Sequence, residues 1–504
     1  MVATTYTVAF IGVEARLIQV QCAFAPGMPS FQVTGLPDKA VSEARERVRA
    51  ALHGMALALP SQKMIVNLSP ADLPKEGSHF DLPIALAVLA ALGVVPQDAA
   101  AGCLALGELS LAGDILPTIG ALPAALTAAE EALTLACPES SGPEAAWVGA
   151  TQVLAPRTLI QLINHLNGKE VIAPSEPGTV IDGTGHRDMR DVKGQSRAKR
   201  ALEIAAAGRH HLMFVGPPGA GKSMMASRMP GILPPLDAAE ALDTSMIHSL
   251  AGTLDKGGIS KTRPFRDPHH TASMAALVGG GRGAKPGEIS LAHNGVLFLD
   301  EMPEFNRAAL ETLRQPLETG QVMVARANAH VTYPCRFMLV GAANPCRCGA
   351  QAEPGRPCPG GPACSENYLG RISAPLMDRF DLRIEVPAVR PADLTAPEDG
   401  EPSAAIAARV ADARQVQRTR YADDPTLHQN ADAEGAWLDR VASPDAEGRA
   451  MLDTAAERFH MTARGYHRVL RVARTIADLA GDAQVAQPHV AEALSYRLAG
   501  RSGL

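Results

Sequence analysis

Residues 211–223 read HLMFVGPPGAGKS. A short apolar run ends at Val215, and Gly216, Gly219 and Gly221 then open a turn whose backbone N–H groups can surround phosphate oxygens. With Pro217, Pro218 and Ala220 these glycines complete a phosphate-binding loop set between an apolar strand and a helix-compatible segment, as the mechanism needs. Lys222 is suited to reach the β- and γ-phosphates as a point charge, and Ser223 to place a hydroxyl on Mg²⁺. The chemistry implied is binding of Mg²⁺ and ATP.

A second stretch, 295–301 (GVLFLDE), is a buried apolar strand ending in two carboxylates. Asp300 is expected to hold hydrated Mg²⁺ and Glu301 to activate the attacking water. Four cysteines follow with the spacing C-x-C-x9-C-x5-C, at Cys346, Cys348, Cys358 and Cys364. Gly349, Pro354, Gly355, Pro357, Gly360 and Gly361 let the loop wrap a tetrahedral ion, and thiolates favour Zn²⁺. Two readings stay open on spacing alone, a structural Zn²⁺ and a set of reduced thiols in an irregular loop.

The elements that carry these residues belong to a chain of 504 residues, long enough for about three domains. Apolar residues make up 46% and charged residues 20%, which excludes wholesale disorder. No run reaches the roughly 18 apolar residues of a membrane span, and no charged segment followed by an apolar one opens the chain, so a cytoplasmic protein is expected. Cys22, Cys103, Cys137 and Cys335 are scattered and suit reduced, buried positions. A net charge of −6 means that any polyanion must be bound by local patches.

Before the phosphate loop, apolar alternation predicts strands at 6–11 and 63–68. A helix is expected over 38–53, with Val41, Ala44, Val48 and Leu52 on one face and Gly54 closing it, and another over 82–92. Residues 104–118 predict a hairpin turning at 112–114. Residues 74–77 (PKEG) and 107–122 (GELSLAGDILPTIGAL) resemble the proteolytic domain of Lon-type proteases. The resemblance implies a ribosomal S5 domain 2-like α+β fold, but His79 stands at the serine position, with Ser78 one place early, and Pro123 at the lysine position. A serine without a neighbouring base is a weak nucleophile, so the domain is expected to be proteolytically inactive.

From residue 191 onward (DVKGQ, then a helix through Ala205) the chain resembles AAA+ ATPases. On that resemblance Asn344, in 339–345 (LVGAANP), is the polar sensor that helps place the attacking water. Arg379, in 375–381 (PLMDRFD), is the arginine finger presented to a neighbour's nucleotide, with Arg371 a second candidate. Arg464, in 461–466 (MTARGY), is the second sensor, at the start of a helix whose Val469, Val472, Ile476 and Leu479 suit a lid over the nucleotide. A finger acting in trans implies a homo-oligomer, a hexameric ring in that architecture.

Residues 263–271 (RPFRDPHHT), 276–281 (ALVGGG) and 286–294 (PGEISLAHN) add a resemblance to magnesium-chelatase-like AAA+ proteins of the ComM/YifB type over nearly the whole chain. Asp267 stands where that pattern has a small residue. The resemblance implies an ATP-driven DNA motor, a branch-migration helicase acting on single-stranded or branched DNA beside recombination proteins in natural transformation. The alternative it leaves is a chelatase-type motor that remodels a protein partner for metal insertion.

The expected organisation is α/β multidomain: an N-terminal α+β Lon-protease-like domain over 1–170, a linker over 171–187, a P-loop AAA+ α/β core over 188–390 and a C-terminal helical lid over 391–504. Between Lys256 and Lys285 stand six basic residues (Lys256, Lys261, Arg263, Arg266, Arg282, Lys285), His269 and His270, against one acid, Asp267. Such a patch suits phosphate contacts without base readout. Arg326, at the tip of an expected hairpin, is a candidate pore contact, whereas His269 and His270, two adjacent histidines expected to have no nearby carboxylate as a ligand, make a poor metal site.

Overall fold

The computed structural model describes residues 2–180, 187–254, 257–281, 284–325, 330–348, 358, 360–389 and 400–498. Lys256, Arg282, Arg326 and the glycines and prolines of 349–357 lie outside them.

Period-two alternation makes Val2–Ile11 (β1) and Glu14–Ala25 (β2) a long antiparallel pair, with Val2 opposite Ala23 and Ile11 opposite Glu14. Ser30–Thr34 (β3) follows, then helix Lys39–Gly54 (α1), which starts where the Asp38 carboxylate accepts from Val41 N at 2.7 Å and buries Val41, Ala44, Val48, Ala51 and Leu52. Gly54 is its last residue, and Met55 caps it. Next come Lys63–Ser69 (β4), the helix Asp81–Ala91 (α2), apolar after Asp81 and buried along nearly its whole length, and Cys103–Ala105 (β5).

The hairpin expected over 104–118 is shorter than that, limited to Glu108–Leu109 (β6) and Ile115–Leu116 (β7). Cys103, Leu104 and Ala105 are buried as β5, because three successive apolar residues suit a sheet interior better than a half-exposed ribbon. Ala121–Glu130 (α3), Thr134–Ala136 (β8) and Val153–Leu154 (β9) complete a seven-stranded mixed sheet of order β3-β4-β2-β1-β5-β8-β9.

The second sheet is wholly parallel. After helix Ser196–Gly208 (α4) come Leu212–Val215 (β10), Lys222–Ala226 (α5), Ala238–Ala251 (α6), Phe265–Arg266 (β11) and Val296–Leu299 (β12). A hairpin of Gln321–Ala325 (β13) and His330–Pro334 (β14) precedes Met338–Ala343 (β15), helix Gly361–Leu369 (α7) and Leu382–Glu385 (β16). The order is β11-β12-β15-β10-β16. Because β10 lies between β15 and β16, connections leave it in both directions, and the C-terminal end of β10 is the switch point where such sheets form a crevice.

Helices Ser403–Arg420 (α8), Gly435–Ala442 (α9), Ala446–Arg458 (α10), Ala463–Ala480 (α11) and Gln487–Leu498 (α12) follow. Val469, Val472 and Ile476 of α11 are buried in one hydrophobic cluster with Ala201, Leu202 and Ala205 of α4 and with Phe214 of β10, and Leu479 packs at its margin. The helical segment therefore shares its core with the parallel sheet.

The N-terminal part is joined to that sheet at two places. Glu144, half-buried, accepts hydrogen bonds from the Ser249 hydroxyl and, at 3.1 Å, from Leu122 N, while Trp147 Nε1 donates to Gly257 O at 3.1 Å. The turn between β1 and β2 brings Phe10, Ile11 and Val13 onto a cluster containing Val331 and Tyr333 of β14. Gly12 has φ +65°, and a Cβ there would lie 2.8 Å from Thr332 O.

Candidate nucleotide-hydrolysis site

Parallel strands put every strand-to-helix turn at one edge, and the residues singled out for phosphate chemistry gather there. Gly216 follows β10 so closely against Val386 that a Cβ would lie 2.1 Å from its carbonyl oxygen. Gly219 and Gly221, at φ +75° and +86°, turn the loop through left-handed conformations that aim successive N–H groups the same way. Lys222, at the start of α5 and largely buried, donates to Gly216 O and Pro217 O at 2.7 Å and to Asn344 Oδ1 at 3.1 Å. Burial pulls its ammonium below the ordinary lysine range, and Asp300 and Glu301 oppose that shift.

Ser223 Oγ donates to Asp300 Oδ2 at 2.5 Å, so a hydroxyl and a carboxylate suited to one hard cation stand side by side at the ends of β10 and β12. With the glycine cradle and the lysine, this donor set fits Mg²⁺ and a nucleoside triphosphate. Glu301, the next residue, has φ 47°, unusual for a residue with a side chain, and its N–H donates to Asp300 Oδ1 at 2.9 Å. The turn exposes the Glu301 carboxylate beside the crevice.

His270 Nδ1 lies 3.8 Å from Glu301 Oε2, its ring 4.1 Å from that of His269 and edge-on to Phe305. The reading that these histidines lack a nearby carboxylate is thus corrected, since β11 and β12 are neighbours and bring residues 31 positions apart together. Asp267 belongs to the same edge: burial raises its carboxyl, and the Asp300 charge pushes the same way.

Arg379 and Arg464 are elsewhere. Leu212 pairs with Leu382 and Val215 with Glu385, so Arg379, just before β16, is at the N-terminal edge, opposite the phosphate loop. The residue is 5% exposed, donates from Nη1 to Pro375 O at 2.7 Å and pairs with Glu318, while its Nε is a buried donor with no hydrogen-bond partner among the described residues. Arg464 Nη1 is 3.4 Å from the same Glu318 carboxylate. Arg468 Nη1 donates to Asp381 Oδ1 at 2.5 Å and to Arg379 O at 2.8 Å, and His211 N donates to Asp381 Oδ2 at 3.0 Å. Burial opposes the Asp381 charge, but Arg468 and His210 outweigh it and hold the carboxyl well below its usual range. A cleft of about 870 Å³ opens on this edge, lined by Arg209, Glu318, Arg336, Arg464, Arg468 and Arg471 among others, and by no residue of 216–223. Arg371 is more exposed and pairs with Glu304 at 3.0 Å.

The sequence matches a known family. Residues 188–394 match the profile described as magnesium chelatase, subunit ChlI, residues 20–140 that of subunit ChlI of Mg-chelatase, and residues 400–497 that of its C-terminal part. Over 501 residues the chain is 42% identical to "Competence protein ComM" of Haemophilus influenzae, covering 98% of this chain and 97% of that one. It is 39% identical over 498 residues to "Uncharacterized protein YifB" of Escherichia coli, covering 98% and 96%. The chain belongs to the magnesium-chelatase-like family of ComM and YifB. Members of this AAA+ family include "Magnesium-chelatase 38 kDa subunit" of Rhodobacter capsulatus, 26% identical over 340 residues, 61% of this chain and 86% of that one.

Within this family's frame, the positive segment before β12 is largely spent on structure. Arg263, buried, donates to Pro234 O at 2.7 Å, to Asn294 O at 2.8 Å and to both oxygens of Glu240. Arg266 forms a two-bond pair with Glu288 at 2.6 and 2.7 Å. Both were candidate phosphate contacts; acids from outside the segment neutralise them. Lys261 and Lys285 are exposed.

At the positions resembling a protease site, His79 is buried with Nε2 3.0 Å from Val8 O, and burial pulls its imidazole down to about 4. Pro123 lies in the first turn of α3. The Lys75 ammonium donates to Pro70 O, and Asp81 is held by two bonds from Arg47. These groups are engaged in holding the fold.

Proposed function

We propose that this chain is an Mg²⁺-dependent ATPase that works as a ring-shaped DNA motor, a hexameric branch-migration helicase acting in recombination and transformation. The observation that carries the ATPase reading is the collection of Lys222, Ser223, Asp300, Glu301 and Asn344 at one edge of the parallel sheet, with Ser223 and Asp300 joined at 2.5 Å. Ser223 and Asp300 would hold Mg²⁺, which would supply positive charge against the charge developing on the phosphate oxygens. Gly216, Gly219 and Gly221 orient the phosphate chain, Ser223 and Asp300 hold the cation, and Lys222 exchanges its carbonyl partners for phosphate oxygens. Glu301 takes a proton from water, and Asn344 positions that water. Arg379 and Arg464, 61 and 146 residues from their shared partner Glu318, serve a neighbouring subunit's nucleotide because their own is across the sheet.

The DNA reading is supported by 42% identity to a protein named for competence. Lys261, Lys285 and Arg326 are its phosphate contacts. The test is steady-state ATP hydrolysis with and without single-stranded and forked DNA, beside Glu301→Gln. DNA stimulation that vanishes in the variant supports the motor. Hydrolysis indifferent to every DNA at low and moderate salt favours instead a chelatase-type motor acting on a protein partner, a reading to which the Rhodobacter relative lends only its name as a magnesium-chelatase subunit.

A further inference from the structure

The four clustered cysteines are treated by the fold differently from the other four. Cys22, Cys103, Cys137 and Cys335 are buried, and burial raises each thiol and keeps it inert. Cys346, Cys348, Cys358 and Cys364 bring their sulfur atoms within 4.8 Å of one another. Cys348 Sγ is 3.4 Å from Cys346 Sγ, 3.2 Å from Cys358 Sγ and 3.9 Å from Cys364 Sγ.

These separations discriminate among occupants. Disulfide sulfurs stand about 2.05 Å apart. Thiolates at about 2.3 Å from a tetrahedral Zn²⁺ stand about 3.8 Å from one another, within the observed spread. An iron–sulfur cluster spreads its cysteines around a larger body than a single ion. Four thiolates in tetrahedral array select a soft or borderline cation and reject Mg²⁺.

The cluster also has a definite place. Cys346 follows Asn344 by two residues at the end of β15, and Cys364 is on α7. Ser365 Oγ donates to Pro345 O at 2.6 Å, fastening α7 to the same loop, and a Cβ on Gly360 would come 2.9 Å from Cys364 Cβ. Asn344 is therefore gripped from two sides, by Lys222 through its Oδ1 and by the cysteine knot through the chain.

We propose that Cys346, Cys348, Cys358 and Cys364 bind one structural Zn²⁺, which fixes Asn344 at the C-terminal edge of the sheet. The metal site stands independently of the ATPase reading; only its effect on Asn344 rests on it. On binding, each thiol gives up its proton to solvent and its sulfur a lone pair to the metal, with no change of oxidation state.

Metal analysis of the purified full-length protein from zinc-supplemented cells should find about one Zn²⁺ per chain. Cys348→Ser and Cys358→Ser should lower it at least fivefold, and Cys22→Ala should leave it unchanged. Because a ligand variant can misfold, the unmodified protein is also titrated with a mercurial reagent beside a zinc indicator, and release should track modification of the four clustered thiols. Iron in place of zinc, no metal at all, or zinc retained after those four thiols react would each overturn the site. In chains stripped of metal whose circular dichroism is unchanged, kcat for ATP should fall about tenfold with KM within twofold. An unchanged kcat would overturn the role assigned to Asn344 while leaving the metal content to stand on its own result.

Discussion

The two edges of the five-stranded sheet have opposite logic. At the C-terminal edge Lys222, Ser223, Asp300, Glu301 and Asn344 face one another within a single subunit, joined by contacts such as the 2.5 Å bond from Ser223 to Asp300. At the N-terminal edge Arg379, Arg464 and Arg468 outnumber the carboxylates Glu318 and Asp381 that hold them. One edge gathers the phosphate loop, its lysine and its carboxylates; the other holds arginines paired with carboxylates around a cleft that Asp381, Asp424, Asp432 and Glu434 also line, away from the phosphate loop. On the function proposed above, in which Arg379 and Arg464 serve a neighbour's nucleotide, the N-terminal edge of one copy would meet the C-terminal edge of another, a head-to-tail contact of the kind that generates rings.

The sharpest way to break this comparison is to damage the edges in separate subunits. Glu301→Gln and Arg379→Ala should each lower ATP turnover at least about 10³-fold. Mixing Lys222→Ala with Arg379→Ala chains should restore part of it, because some interfaces then pair an intact loop with an intact guanidinium. No recovery on mixing, with assembly verified by light scattering, would place Arg379 in its own subunit's structure.

A smaller effect is expected from His270→Ala. The imidazole 3.8 Å from Glu301 orients the carboxylate without touching substrate, so kcat should drop about tenfold while KM for ATP stays nearly constant. His270→Gln, which keeps a polar group, should recover part of the loss.

Glu318→Gln should act weakly and in the other direction. The carboxylate is half exposed, so losing its pairs should cost less than about 1 kcal/mol of stability in denaturant melts. Turnover should rise a few-fold as two guanidinium groups are released. A fall resembling that of Arg379→Ala would mean that Glu318 aims the arginine instead of restraining it.

The smallest effect on turnover at neutral pH, and one visible in stability, concerns His211 at the N-terminal edge. Burial pulls its imidazole to about 4; Asp381 opposes this and Arg468 reinforces it. The unfolded chain binds the proton near 6.5 and the folded chain only near 4, so the unfolded state holds more protons between them. Stability is full above about pH 6.5 and declines as pH falls, by on the order of 3 kcal/mol at pH 4. Denaturant midpoints should drop between pH 7 and pH 5, and His211→Gln, whose amide oxygen can still accept from Leu339 N, should flatten that slope. His79 and His293, pulled down to about 4 and about 3 by burial, add slopes of the same sign.

What the sequence disclosed follows the same division. The C-terminal edge is legible because each of its parts is short and local, a loop after an apolar run or a carboxylate pair ending another, and parallel strands align such ends without further instruction. The N-terminal edge is not legible in this way. Nothing near Arg379 or Arg464 in the chain names Glu318, and the sign of the segment around Arg263 and Arg266 cannot be read without Glu240 and Glu288, which come from α6 and from the turn before β12. Long-range ion pairs have no periodicity to betray them. His270 fell between these cases, its pattern noticed but its partner hidden by the pairing of β11 with β12.

Glu301 carries one more consequence. Its φ of 47° costs a residue with a side chain about 1 kcal/mol, whereas glycine adopts that conformation freely. On the role proposed for Glu301, folding and catalysis favour different residues at this position. In lineages of this family freed from the need to hydrolyse ATP, position 301 is where drift to glycine or asparagine should appear early, leaving a stable, nucleotide-binding relic whose silence is written in one codon.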